Sequence, residues 1–216
     1  MELVIGNKNY SSWSLRPWLL LSVHALPFKE VRIPLFQDDT YTALAQHTDA
    51  GKVPVLKDGD LVIWDSLAIC EYISEQYLGG DGWPSSTRAR AEARSCSAEM
   101  HSGFQEIRGK LPMNCRVNGR RVPFNTALER EVARIDQIWS QYREVYSGVG
   151  PWLFGEFSIA DCMFAPVASR FKTYGVNVST ASAEYMDFIL GHEHMVEWVK
   201  QAHAETETID VAEAGI

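Results

Sequence analysis

Tyr10-Ser11-Ser12-Trp13-Ser14-Leu15-Arg16-Pro17 places three serine hydroxyls in a polar loop that runs straight into a helix. Upstream of it, Glu2 to Ile5 reads as a short apolar strand. Downstream, Leu15, Trp18, Leu19 and Ser22-Val23 recur at helical spacing. A helix is expected from about Ser14 to Ala25, with Ser14 as N-cap and Pro17 tolerated in its first turn. Leu26-Pro27 ends it. Phe28 to Leu35 alternates as a strand does, and Asp39 to Gln46 reads as a short helix or turn. Val53 to Lys57 and Leu61 to Trp64 read as a hairpin about Asp58-Gly59-Asp60. Ser66 to Tyr77 is helical, with Leu67, Ile69, Cys70 and Ile73 on its apolar face. This order of elements describes a compact α/β unit whose sheet ends in a hairpin.

Gly79-Gly80-Asp81-Gly82-Trp83-Pro84 then punctuates the chain. Beyond it every segment reads as helix. Ser86 to about Leu111 is expected as one long helix, and Asn125 to Tyr146 as another, with Val132, Ile135, Ile138, Trp139 and Tyr142 on one face. Ser158 to Tyr174 is apolar almost all round, as befits the centre of a bundle, and shorter helices fill Ser182 to Ala204. The expected organisation is an α/β unit over residues 1–79, a linker over 80–85 and an all-α helical domain over 86–216. The acidic stretch Glu205 to Glu213 is expected to be a solvated, frayed end.

Composition bounds the function. The 216 residues are 46% hydrophobic and 22% charged, as in an ordinary globular protein. No run of about 18 apolar residues offers a transmembrane helix. No basic segment followed by an apolar run offers a secretory leader, so a cytoplasmic protein is expected. A net charge of −8 argues against a nucleic-acid partner, which needs a basic surface. Cys70, Cys96, Cys115 and Cys162 lie far apart and form no C-x-x-C pair. They read as free thiols in a reducing compartment, with no metal site.

Three segments carry the chemistry, and each has a plain structural explanation as well. Pro54 sits where a strand begins, and proline has no N–H for a ladder. It is either a trans proline on an edge strand or a cis bond that turns the Val53 N–H and C=O outward to dock an extended peptide. Asp65-Ser66 stands where a strand meets a helix. Either residue can be the N-cap, and the same helix end can receive a carboxylate while Asp65 receives an ammonium. Ser11, Ser12 and Ser14 can be turn and cap residues, or one of them can hold a thiolate. Ionising a thiol below pH 7 takes about two pKa units, about 2.7 kcal/mol. One hydrogen bond to a charged acceptor supplies about 1.5–3 kcal/mol, and a helix N-terminus adds about 0.3–1.

In this order, and followed by a helical region, the three segments resemble the glutathione transferase superfamily over nearly the whole chain. The resemblance implies a thioredoxin-like N-terminal domain that binds glutathione and a helical C-terminal domain that supplies the acceptor pocket. Ser11-Ser12-Trp13-Ser14-Leu15-Arg16 is similar to the zeta-class Ser-Ser-Cys-Ser-x-Arg motif. It assigns the thiolate donor to Ser11, with Ser12 close enough to compete. Val53-Pro54 is similar to the family's cis-proline turn, Asp65-Ser66 to its pair for the γ-glutamyl end, and Lys52 to a polar contact near the ligand. Ser158-Ile159-Ala160-Asp161 resembles its capping box and is assigned to folding.

Trp13 stands where the zeta motif has cysteine. That weakens transfer of maleylacetoacetate isomerisation to this chain and removes the cysteine used for thiol–disulfide exchange. Trp13 itself is expected at the glutathione site. Met100, Phe104, Met113 and Arg116, with neighbours His101 and Asn114, are expected to face the thiol and shape an apolar acceptor pocket, although a Met/Phe stripe is also what plain core looks like. The implied partners are glutathione, a small electrophile and a second copy of the chain. An isomerase using the same thiolate, a non-catalytic interaction protein of the same fold, and a redox protein using Cys70 or Cys115 are the competing readings.

Overall fold

The computed structural model describes residues 1–215. The first half builds a four-stranded sheet: β1 (Glu2–Ile5), β2 (Lys29–Arg32), β3 (Val55–Asp58) and β4 (Leu61–Trp64), in the order β2-β1-β3-β4. β1 runs parallel to β2, with Leu3 opposite Glu30, and antiparallel to β3, with Leu3 opposite Leu56. A parallel pair needs a crossover, and α1 (Ser12–Val23) supplies it. β3 and β4 form the expected hairpin, with Gly59 at φ 58° in the turn where a side chain would be strained. α2 (Thr40–Ala45) and α3 (Ser66–Tyr77) complete a thioredoxin-like unit.

The second half is helical: α4 (Thr87–Ser102), α5 (Gln105–Lys110), α6 (Thr126–Tyr146), α7 (Ile159–Thr173), α8 (Thr180–Gly191) and α9 (Glu193–Ala204). α1 is the hinge of the packing. It lies between α3 on one side and α7 and α9 on the other, so Leu15, Leu19, Leu20 and Leu21 are all fully buried. A helix covered on both sides has no polar face to show, which is why its pattern is nearly continuous. α7 is buried almost throughout, as its composition predicts. Its first turn carries a capping box: Asp161 accepts the Ser158 N–H (2.9 Å) and also the Leu153 N–H and the Tyr185 hydroxyl. Burial pushes the Asp161 carboxyl up to about 6, against the pull of these four donors, Ser158 Oγ included. Among the described residues, no helix is long and apolar enough to cross a membrane.

Two expectations are corrected. The segment Ser86 to Leu111 is not one helix. It breaks at Gly103-Phe104, where Phe104 adopts the left-handed conformation (φ 60°). A Cβ on Gly103 would come within 2.9 Å of the Glu99 carbonyl, and the Arg108 guanidinium satisfies the released carbonyls of Met100, His101 and Gly103.

The stretch Glu205 to Glu213 is not frayed either. It runs back across the start of the chain as a strap. The Glu205 carboxylate accepts the N–H groups of Lys8 (2.7 Å) and Asn9 (3.1 Å). Arg116 donates to the Glu205 and Glu207 carbonyls, and Ile209 and Ala212 pack against Tyr10. The acidic side chains meet Arg32 and Arg120, and the apolar residues between them have a surface to bury.

Candidate active site

The loop Asn7–Tyr10, which delivers the serines, is held from several sides. Asn7 Oδ1 accepts the Leu35 N–H, the Lys8 carbonyl accepts the Trp198 indole N–H, and Asn9 Oδ1 accepts the Arg116 N–H. The helix that follows starts earlier than its sequence pattern suggests. Ser11 is the N-cap of α1, and Ser14 is not. Ser14 is fully buried; its Oγ accepts the Gly6 N–H (3.1 Å) and lies 2.7 Å from Ser11 Oγ. Ser11 Oγ is also the acceptor of the Ser14 N–H (3.4 Å). Among the described residues, Ser11 Oγ is the single acceptor within reach of the Ser14 hydroxyl hydrogen. Either hydroxyl can donate across this contact; with the fully buried Ser14 as donor, the chain runs Gly6 N–H to Ser14 O–H to Ser11, and the Ser11 hydrogen has no other acceptor among the described residues.

Ser12 has a different environment. Its Oγ accepts from Arg170 Nη2 (3.0 Å), which reaches over from α7. Arg170 is buried, its other partners are the carbonyls of Arg108 and Leu111, and among the described residues no carboxylate pairs with it. Burial, reinforced by the neighbouring Arg108, pulls it down to about 10, so it remains a cation at neutral pH.

A cavity of about 520 Å³ opens beside the start of α1, lined by Trp13, Ala50, Lys52, Val53, Pro54, Trp64, Asp65 and Ser66. The Val53–Pro54 bond is cis, and Val53 lies just ahead of the β3 ladder, which begins at Val55. Trp13 is half-buried, with the guanidinium of Arg16 at 4.3 Å and that of Arg108 at 4.5 Å from its ring. Asp65 caps α3 from a left-handed backbone (φ 77°), with Oδ1 accepting the Leu67 and Ala68 N–H groups. Ser66 is buried at the cavity wall and accepts from Arg16 Nη1 (3.2 Å). Burial pulls Arg16 down to about 9.

The fold thus brings together Trp13, Lys52, Val53, Pro54, Asp65 and Ser66. Ser11 and Ser12 lie immediately before Trp13, each 5% exposed, and do not themselves line the cavity. Met100, Phe104 and Met113 are packed in the core, 2%, 7% and 1% exposed, and lie outside the cavity lining. Arg116 holds the strap and stacks on Tyr10, and Asn114 donates to Glu213. Sequence reasoning missed Trp64 and gave no role to Arg108 or Arg170. An arginine set among the mostly apolar residues of α7 was the available signal for Arg170. All four cysteines are buried, and burial pushes Cys96 up to about 12, Cys115 to about 11, and Cys70 and Cys162 upward as well.

The chain is similar to known proteins in sequence and in fold. Residues 10–76 match the family model of the glutathione S-transferase N-terminal domain, and residues 125–201 match that of the C-terminal domain. Glutathione S-transferase F14 of Arabidopsis thaliana is 29% identical over 168 residues, covering 75% of this chain and 63% of its own. A stringent starvation protein A homolog of Pasteurella multocida is 27% identical over 135 residues, covering 62% of this chain and 59% of its own. The chain therefore spans less than two thirds of the length of these curated relatives. In fold, a Burkholderia glutathione transferase homolog with bound glutathione matches with a TM-score of 0.69 at 20% identity, over 95% of this chain and 98% of that one.

Proposed function

The chain belongs to the glutathione S-transferase superfamily, and on that premise we propose that it is a glutathione transferase acting on a small, largely apolar electrophile. Residues 1–79 bind glutathione, residues 86–216 supply the acceptor side across the 80–85 linker, and the working form is a cytoplasmic homodimer. Asp65 receives the ammonium of the γ-glutamyl end, and Ser66 with the N-terminus of α3 receives its carboxylate. Val53 pairs with the peptide backbone beside the cis Pro54, with Trp13 and Lys52 at the walls. The same thiolate, added to a substrate and later expelled, would make the protein an isomerase.

One observation carries the mechanism. With the buried Ser14 donating to Ser11, the Ser11 hydrogen is left to give, with no other acceptor among the described residues. A thiolate is the acceptor that fits. Ser11 then acts as donor alone, forming no covalent bond to substrate and needing no base, and the α1 N-terminus adds to the pull on the thiol pKa. Ser12, polarised by Arg170, stands as the competing donor. Met100, Phe104 and Met113 shape the acceptor side from behind, since they are sealed in the core, and Arg116 acts there through the strap.

The test is the pKa of bound glutathione, read from ultraviolet thiolate absorbance. Ser11→Ala is expected to raise it by a unit or more, about 1.4 kcal/mol. An unchanged value there, with a rise in Ser12→Ala, reassigns the role. A second reading, a non-catalytic interaction protein, is favoured by the similarity to the stringent starvation protein A homolog. Titration calorimetry decides between them: a wild-type protein that does not bind glutathione removes the enzyme reading.

A further inference from the structure

At the α3 end of the cavity, α4 contributes a side chain that the sequence motif does not contain. His101 Nε2 lies 2.9 Å from Asp65 Oδ2, and its Nδ1 lies 3.4 Å from Arg16 Nη1. Arginine can only donate. Nδ1 is therefore the bare nitrogen, and Nε2 carries the hydrogen that Asp65 accepts. Burial holds His101 below its ordinary pKa, ahead of the opposing pull of Asp65, in keeping with this neutral form. The same Arg16 Nη1 donates to Ser66 Oγ. The imidazole closes against the edge of Trp13, 5.4 Å between centroids.

Asp65 is thus fixed at both oxygens, Oδ1 by the α3 backbone and Oδ2 by His101. A carboxylate that is 42% exposed would otherwise swing in solvent. We propose that His101 is a positioning and specificity residue: anchored by Arg16, it aims the Asp65 carboxylate at a ligand ammonium, and so makes the site select γ-glutamyl thiols that keep their free α-amino group. This rests on the reading that the cavity takes glutathione.

The experiment compares two ligands by calorimetry: glutathione and its des-amino analogue, glutaryl-cysteinyl-glycine. The wild-type protein is expected to prefer glutathione by about tenfold or more, about 1.4 kcal/mol. His101→Phe is expected to lose most of that preference while its affinity for the analogue changes less than about twofold. His101→Gln, whose amide can still donate to Asp65 and accept from Arg16, is expected to retain it. Circular dichroism confirms that both variants fold, and if His101→Phe does not, the comparison of His101→Gln with His101→Leu decides. An equal loss for both ligands would make His101 a plain tie between α3 and α4, and an intact preference in His101→Phe would overturn the proposal. A wild-type protein that binds neither ligand sinks the glutathione reading itself, and this inference with it.

Discussion

Ser14 has one hydroxyl hydrogen and one place to put it. Ser14 is the more deeply buried of the pair, and giving its hydrogen to Ser11 leaves the Ser11 hydrogen for a ligand. Ser14→Ala is expected to leave the Gly6 N–H without its acceptor, at about 1–3 kcal/mol of stability. It should also free Ser11 to turn inward and raise the pKa of bound glutathione, though less than Ser11→Ala does. Urea unfolding and thiolate absorbance measure the two effects separately, and a variant that loses stability with no change in thiol pKa would disconnect Ser14 from the sulfur. The three serines themselves were legible in the sequence, but their division of labour was not. A hydroxyl ahead of an apolar helix satisfies the N-cap rule at Ser11 and at Ser14 alike, and only the approach of Gly6 and of Arg170 from elsewhere in the fold separates cap, relay and donor.

Elements read well where local chemistry decides them. Asp58-Gly59-Asp60 gave the hairpin and Ser158-x-x-Asp161 gave the start of α7, because each requirement lies within a few residues. The break between α4 and α5 was not legible in the same way. Phe104 at φ 60° goes against its own preference, and it is held there by burial of its ring and by an arginine four residues on that collects the loose carbonyls. The capping box makes a quantitative prediction at this scale. Ser158→Ala should cost about 1 kcal/mol, within the usual range for caps of about 0.5–2. Asp161→Ala should cost more, about 3 kcal/mol, since it strands buried donors on Leu153, Ser158 and Tyr185. Equal shifts in the urea midpoint for the two variants would count against this division.

For the whole molecule, acid is the informative stress. Burial lowers the pKa of His24, His101 and His192 below the ordinary 6.5. A depressed histidine takes its proton more readily in the unfolded chain, so its contribution is fully present above pH 6.5 and is lost as pH falls from there through the folded value. Asp161 runs the other way. With a folded value of about 6, it favours the native state as pH falls from 6 toward 3.8. Stability is therefore expected to decline as pH drops from 7.5 to 5.5. The wild-type decline should exceed that of a His24→Asn/His192→Asn double variant, measured as urea midpoints, and matching slopes would refute it. The global feature that stayed hidden in the sequence is the strap. A run of acidic residues reads as solvated when its partners, Lys8, Asn9, Arg32 and Arg116, lie far away along the chain.

That distance has a consequence in time. Glu205 lies 197 residues beyond Lys8, whose N–H it holds. A ribosome adding about 5–20 residues per second makes the serine loop about 10–40 s before it makes the carboxylate that fastens it. The first turn of the chain to be synthesised is therefore among the last to be set, and a nascent protein stopped short of residue 205 would carry its serines on an unfastened loop.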